Sequence, residues 1–155
     1  MRYWFLVGLA LLVVVTLFAP LAISRPGEAD EAGIPAFHVA PPAKGAKLPA
    51  ILVKEQLWGS NAQYAVQVHA YELAAKIPSV LYQQPCYCYC DRSMGHKSLH
   101  SCFENVHGAQ CATCLKELYY TYLMHKKGKT AAEIRRRIIK GEWQQVDLGI
   151  AAAIN

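Results

Sequence analysis

Cys86, Cys88 and Cys90 stand at every second position after Pro85, Cys111 and Cys114 form a C-x-x-C pair further on, and Cys102 lies between. All six cysteines of the chain therefore fall within residues 86–114, and any fold must accommodate that crowding. If the row is extended, alternation sends its three sulfurs to one side, with Tyr87 and Tyr89 on the other. Neighbouring Cα atoms would then be about 6.5–7 Å apart. That is at the upper edge for a disulfide, which prefers about 5.5–6 Å. Two thiolates at this spacing reach one soft ion if the backbone bends slightly. The outer pair, Cys86 and Cys90, is too far apart in a straight strand. The row must curl, divide between two ions, or find sulfurs elsewhere.

Cys111 and Cys114 supply such sulfurs. At i and i+3 in the first turn of a helix they share a face, where the helix dipole favours thiolate. His96, His100 and His107 lie between the two groups. Three chemistries fit this pattern. Six cysteines allow a three-bridge disulfide framework. Thiolates with imidazoles, here Cys86, Cys88, Cys90, Cys102, Cys111 and Cys114 with His96 and His107, suit a soft metal ion, Zn²⁺ or Cu(I). Cys111 and Cys114 could instead exchange disulfides with the row as a dithiol redox centre. The crowding leaves most of the domain unstapled, which counts against the framework.

The rest of the chain divides by composition. Residues 1–24 hold an uncharged apolar run, Tyr3 to Ile23, preceded by Arg2. At about 1.5 Å per residue this run is long enough to span a bilayer core of about 30 Å. It is read as a membrane anchor or a cleaved signal peptide, with a small-x-small site at Ala22-Ile23-Ser24. Either reading exports the remainder, an environment that permits disulfides. No cysteine lies near a cleavage site, so a lipoprotein is not expected. Residues 25–49, with Pro26, Pro35, Pro41, Pro42 and Pro49 and the acidic Glu28, Asp30 and Glu31, read as a flexible Pro/Ala-rich linker. Residues 50–148 form the cysteine-rich domain, and 149–155 a frayed apolar tail.

Within the domain, a helix is predicted over 61–76, stopped by Pro78. Pro85 keeps Gln84 out of helix. Asp91 to Gly95 reads as a turn, and 97–106 as a short helix carrying Leu99, Cys102 and Phe103. Cys111, Leu115, Leu118 and Tyr122 recur at helical spacing over 110–127, with Gly128 just past the end. Thr130 and Glu133 match a capping box opening a helix to Lys140, closed by Gly141. Trp143 and Val146 are expected to fold back on the core. The expected fold is mainly α: a small helical domain with an irregular cysteine-rich loop, after an N-terminal transmembrane or signal helix and a Pro-rich tether.

Pro85-Cys86-Tyr87-Cys88-Tyr89-Cys90, then Gly95-His96-Lys97-Ser98, Cys102-Phe103, His107-Gly108 and Cys111-x-x-Cys114, resemble the bacterial family named for its PCYCGC or CYCXC motif. The resemblance covers about residues 50–148. It implies an exported protein, typically a lipoprotein, and no established activity. Some members of that family carry selenocysteine at a motif cysteine, which implies redox chemistry more readily than a static disulfide. This chain has Tyr89 where the short motif has Gly, so a tight turn is not expected there.

The net charge of +5 is concentrated. Lys126, Lys127, Lys129, Arg135, Arg136, Arg137 and Lys140 are opposed in their window only by Glu133, and the remainder is near neutral. The window reads as a solvated helix face, with attraction to anionic lipids as the functional alternative. Nucleic acid is not an expected partner. There is no Ser/His/Asp order, no usefully spaced carboxylate pair and no phosphate loop. The expected protein is extracytoplasmic, held near the membrane by its N-terminal helix, and thiol-based. Soft-metal handling comes first, thiol–disulfide exchange second and a disulfide-stabilised interaction module third. A metal-transfer or redox protein would be its partner.

Overall fold

A computed structural model of the chain describes residues 33–57 and 64–154. The apolar run Tyr3–Ile23 and the start of the linker lie outside the described residues, as does the beginning of the first predicted helix. Among the described residues there is no strand, and no helix is long and apolar enough to cross a membrane.

Helix α1 (Ala65–Lys76) buries Ala70, Tyr71, Leu73 and Ala74 and ends one residue before Ile77, which leads into Pro78. Pro78 then opens the single turn α2 (Pro78–Leu81), because its fixed φ suits the first helical position. Two further short turns follow the cysteine row: α3 (Cys90–Met94), closed by Gly95 in the left-handed region, and a 3-10 helix over Leu99–Phe103. The predicted helix over 97–106 is thus shorter and tighter than its pattern suggests. Helix α4 (His107–Gln110) is one turn, and α5 (Ala112–Lys126) is the longest element. Gly128 follows α5 at φ +76°, a left-handed position that a Cβ would strain. Helix α6 (Ala131–Ile139) opens on the predicted capping box: Thr130 Oγ1 accepts the Glu133 N–H, and the Glu133 carboxylate accepts the Thr130 N–H at 2.9 Å.

The core forms around α5. On one side lie α1, the 3-10 helix and α4, with Leu73, Leu81, Leu99, Phe103, Leu118 and Tyr119 fully buried. A smaller cluster on the other side joins Tyr120 to Ile134 and Ile138 of α6, with Tyr87, Trp143 and Val146 against it. The expected tail instead forms α7 (Leu148–Ala151). Asp147 caps it by accepting the Gly149 N–H, and Ala151 is wholly buried.

The described part of the linker lies on the helical unit, which begins at Gly33 rather than at residue 50. The Ala36 N–H donates to Asp91 at 3.0 Å, His38 stacks on Tyr82 at 3.7 Å, and the Arg135 guanidinium covers the Phe37 ring. Arg135 also donates to the carbonyl of Gln83 at 3.1 Å, so one charge of the basic window is a structural clamp.

Candidate metal centre

Pro85 delivers the chain from α2 into a turn, not a strand. The Gln84 carbonyl is fixed by the Leu99 N–H at 2.9 Å. Two residues on, the Tyr89 N–H donates to the Cys86 carbonyl at 3.1 Å, closing a tight turn over Cys86–Tyr89. Tyr89 sits at φ +56° and ψ 31°, the left-handed conformation that glycine favours. Both the extended row and the absence of a tight turn at Tyr89 are therefore corrected. The turn curls Cys86 and Cys88 towards each other, with their sulfurs 3.3 Å apart.

The pair at 111 and 114 also departs from expectation. Cys111 is not in the first turn of α5 but precedes it as the N-cap, with extended backbone (φ −117°, ψ 109°), because α4 ends at Gln110. Cys114 lies inside α5 and is wholly buried. The preceding turn α4 packs closely at Gly108. A Cβ there would stand 2.8 Å from the Cys102 carbonyl oxygen and 3.0 Å from the Phe103 ring, so only glycine permits α4 this close to the 3-10 helix. Tyr71 fastens the same turn, donating to the Asn105 carbonyl at 2.6 Å and accepting the Ala109 N–H at 3.0 Å.

The turn at 86–89, α3, the 3-10 helix and the start of α5 thus bring their sulfurs to one point. Cys86 lies 3.5 Å from Cys114, Cys114 3.7 Å from Cys88, and Cys90 3.4 Å from Cys102. Cys88 also lies 3.6 Å from His107 Nε2. All six cysteines are free thiols. The ligand atoms fall into three overlapping sets of four, each mutually within 4.8 Å: Cys86, Cys88, Cys102 and Cys114; Cys88, Cys90, Cys102 and His107; and Cys88, His107, Cys111 and Cys114. Each set is close enough to hold a metal ion, and Cys88 belongs to all three.

His96 is in none of these sets. Its Nδ1 lies 3.1 Å from the Cys90 sulfur and 3.4 Å from that of Cys102, while Asn105 contacts its Nε2. It borders the centre as a hydrogen-bonding neighbour. Asn105 Oδ1 also accepts the backbone N–H of His107 at 2.8 Å, so one side chain touches the His96 ring and holds the main chain that carries His107. His100 is buried away from the cluster against Glu104, at 2.8 Å.

Protons within the cluster are unequally held. The Cys88 thiol is driven far down by hydrogen bonds from Cys102, Cys111, Cys114 and Cys86, which outweigh its partial burial. Cys102 is also lowered, chiefly by Cys114 and Cys86. Cys86 is pushed up by its hydrogen bonds to Cys102, Cys114 and Cys88, and Cys114 by those to Cys102 and Cys111. Cys90 rises chiefly through Cys102. Cys111, expected to be the favoured thiolate, is instead raised: the Cys114 hydrogen bond lowers it, but Cys88 and burial prevail. Hydrogen bonds among the sulfurs therefore favour the thiolate at Cys88 and Cys102 and the protonated thiol at Cys86, Cys90 and Cys114.

One buried acid at the cluster escaped the sequence reading. Glu117 of α5 is wholly buried beneath the cysteine turn, and its Oε1 accepts the Tyr87 N–H at 2.8 Å. Its Oε2 has no hydrogen-bond partner among the described residues. Burial, the largest influence, pushes the carboxyl up to about 8. The signal for it in the sequence is its place beside Cys114, Leu118 and Thr121 on the core stripe of α5, where an acid is out of keeping.

A mainly helical unit carrying a six-cysteine cluster with flanking histidines defines a class of thiol-rich domains suited to metal binding or redox chemistry. The profile of the family described as "protein of unknown function with PCYCGC motif" matches residues 55–146, and the chain belongs to that family. No curated protein and no solved structure matches it.

Proposed function

We propose that this is an extracytoplasmic protein, tethered or delivered through residues 1–24, whose cysteine cluster binds a soft metal ion, Zn²⁺ or Cu(I), for exchange with a partner protein. The observation that carries the reading is the spacing of the ligand atoms. A tetrahedral ion with metal–sulfur bonds of about 2.3 Å separates its sulfurs by about 3.8 Å, and a sulfur from a histidine nitrogen by about 3.6 Å. The Cys88–Cys114 separation of 3.7 Å and the Cys88–His107 separation of 3.6 Å correspond to these edges. A disulfide needs about 2.05 Å. Convergence on one sulfur, Cys88, also suits an ion better than three discrete bridges.

Metal analysis of protein purified without chelator, paired with a free-thiol count after chelation, tests the reading. Bound Zn or Cu with six alkylatable thiols supports it. Absence of both metal and free thiols would leave the disulfide-stabilised module. Export is tested by fractionating cells that express a tagged chain, and full-length protein in the cytosol would refute it.

Thiol–disulfide exchange is the second reading, through Cys111, Cys114 and the row. It is favoured by the 3.5 Å contact of Cys86, in the row, with Cys114 of the pair, two thiols that need only a small approach to form a bond as a partner's disulfide takes up the two electrons and two protons.

A further inference from the structure

We propose that the centre is built for two Cu(I) ions bridged by Cys88 and Cys114. This rests on the soft-metal reading and goes beyond it in stoichiometry, metal and architecture. Two of the ligand sets, Cys86–Cys88–Cys102–Cys114 and Cys88–His107–Cys111–Cys114, have two sulfurs in common, those of Cys88 and Cys114. Two tetrahedra joined in this way share an edge. The shared edge measures 3.7 Å, close to the about 3.8 Å of an unstrained tetrahedron with 2.3 Å bonds. The remaining ligands, Cys86 and Cys102 for one ion and His107 and Cys111 for the other, are distinct. No ligand beyond the bridging pair is asked to serve twice.

The two positions differ in depth. Cys86, Cys102 and Cys114 are buried, so the first ion is an inner, all-sulfur site. Cys88, His107 and Cys111 are half-buried, so the second is an outer site through which ions enter and leave. The third set adds no independent site. It reuses Cys88, Cys102 and His107 and contributes only Cys90 of its own.

The shared edge also selects the metal. With bonds of about 2.3 Å, two ions on either side of a 3.7 Å edge stand about 2.7 Å apart. Coulomb repulsion scales with the product of the charges, so two divalent ions at that distance repel four times as strongly as two monovalent ones. Cu(I), the softer ion, is also favoured by a donor set of five thiolates and one imidazole. Charge and softness together favour a pair of Cu(I) over a pair of Zn²⁺ at this separation.

The test uses the full chain, purified in detergent, reduced and stripped under anaerobic conditions. It is titrated separately with Cu(I) and with Zn²⁺ against chromophoric competitors. Cu(I) should saturate at two ions per chain and Zn²⁺ at one, and X-ray absorption of the copper-loaded protein should show a copper–copper vector near the distance set by the shared edge. Cys88→Ser and Cys114→Ser should each halve the copper content, whereas His125→Ala, exposed near the end of α5, should leave two ions. Saturation at one Cu(I), or two ions without the short vector, would overturn the bridged centre while leaving the soft-metal reading intact. Failure of the wild-type chain to bind either metal would overturn both. Because the short vector is read on the wild-type chain, its presence or absence does not depend on how well the variants fold.

Discussion

Replacing Glu117 by Gln should remove a large part of the pH dependence of folding stability in the reduced, metal-free protein between about pH 5 and pH 8. The Gln oxygen still accepts the Tyr87 N–H that Glu117 Oε1 accepts at 2.8 Å, so the turn keeps its anchor. What changes is the charge. Burial raises the Glu117 carboxyl from its ordinary 4.5 to about 8, with the Cys102 and Cys88 sulfurs adding repulsion and hydrogen bonds from Cys86 and the Tyr87 N–H acting against the shift. Between those two values the folded state holds a proton that the unfolded state has released. Stability therefore falls as pH rises, by about 1.4 kcal/mol per unit. Over the full interval the loss is on the order of 4–5 kcal/mol, a large share of the about 5–15 kcal/mol typical of a domain. The thiols titrate in both proteins, so the difference between variant and wild type isolates Glu117. Urea unfolding at about pH 5, 6, 7 and 8 under reducing conditions reads it. The two proteins should be similar at the acid end and diverge steadily, with Gln the more stable at the alkaline end. Parallel curves would refute the claim that Glu117 is buried as a neutral acid.

Gly108→Ala should destabilise the fold by on the order of 1–3 kcal/mol, because the new methyl meets the Cys102 carbonyl at 2.8 Å and backbone must move; thermal unfolding measures it. Tyr89→Gly should be more stable than Tyr89→Ala by about 1 kcal/mol, since alanine keeps the left-handed strain at φ +56° and both lose the Arg92 contact; equal stability would contradict the turn. Tyr71→Phe should cost about 1–3 kcal/mol, because the Ala109 N–H and Asn105 carbonyl lose their shared hydroxyl, and chemical denaturation will show the change in midpoint.

The helices are legible in the sequence because their ends carry local chemistry. Pro78, Gly128, Gly141 and the Thr130–Glu133 box act within a few residues of themselves, so no knowledge of partners is needed. The shape of the cysteine row is not legible, because alternation presumes a strand, and the described residues offer no partner strand to hold one. Tyr89 takes the conformation the short motif assigns to glycine, which residue type alone argues against. Cys111 is misplaced by its pattern for a related reason: the apolar spacing continues through it, while the helix starts only at Ala112. The docking of residues 36–38 depends on Tyr82, Asp91 and Arg135, far along the chain. Composition describes such a segment without its partners. The grouping of the sulfurs is more legible, since all of them except that of Cys102 are confined to two short motifs.

The location of the cluster gives metal binding a thermodynamic consequence. Cys86, Cys90, Cys102 and Cys114 are members of the main core, packed with Leu99, Phe103 and Leu118. Where a domain of this size would ordinarily place hydrocarbon, this one places sulfurs and a buried carboxyl. Without an ion the sulfurs cannot all ionise so close together, and the cluster shares protons, with Cys86 and Cys114 donating S–H to Cys88 and the thiolate favoured at Cys88 and Cys102. An ion that replaces those protons converts mutual repulsion into ligation and ties together the turn at 86–89, the 3-10 helix and α5. Because the unfolded chain holds no such arrangement, the binding free energy enters the folding free energy. Loading should therefore release protons and raise the unfolding midpoint together. The rise should shrink as pH falls, because protons then compete with the ion for the same sulfurs. Thermal unfolding of the reduced protein with and without metal, at neutral and mildly acidic pH, reads both effects. A midpoint that stays put on loading would show that the ion sits outside the core, and that these sulfurs do not complete what burial alone leaves unfinished.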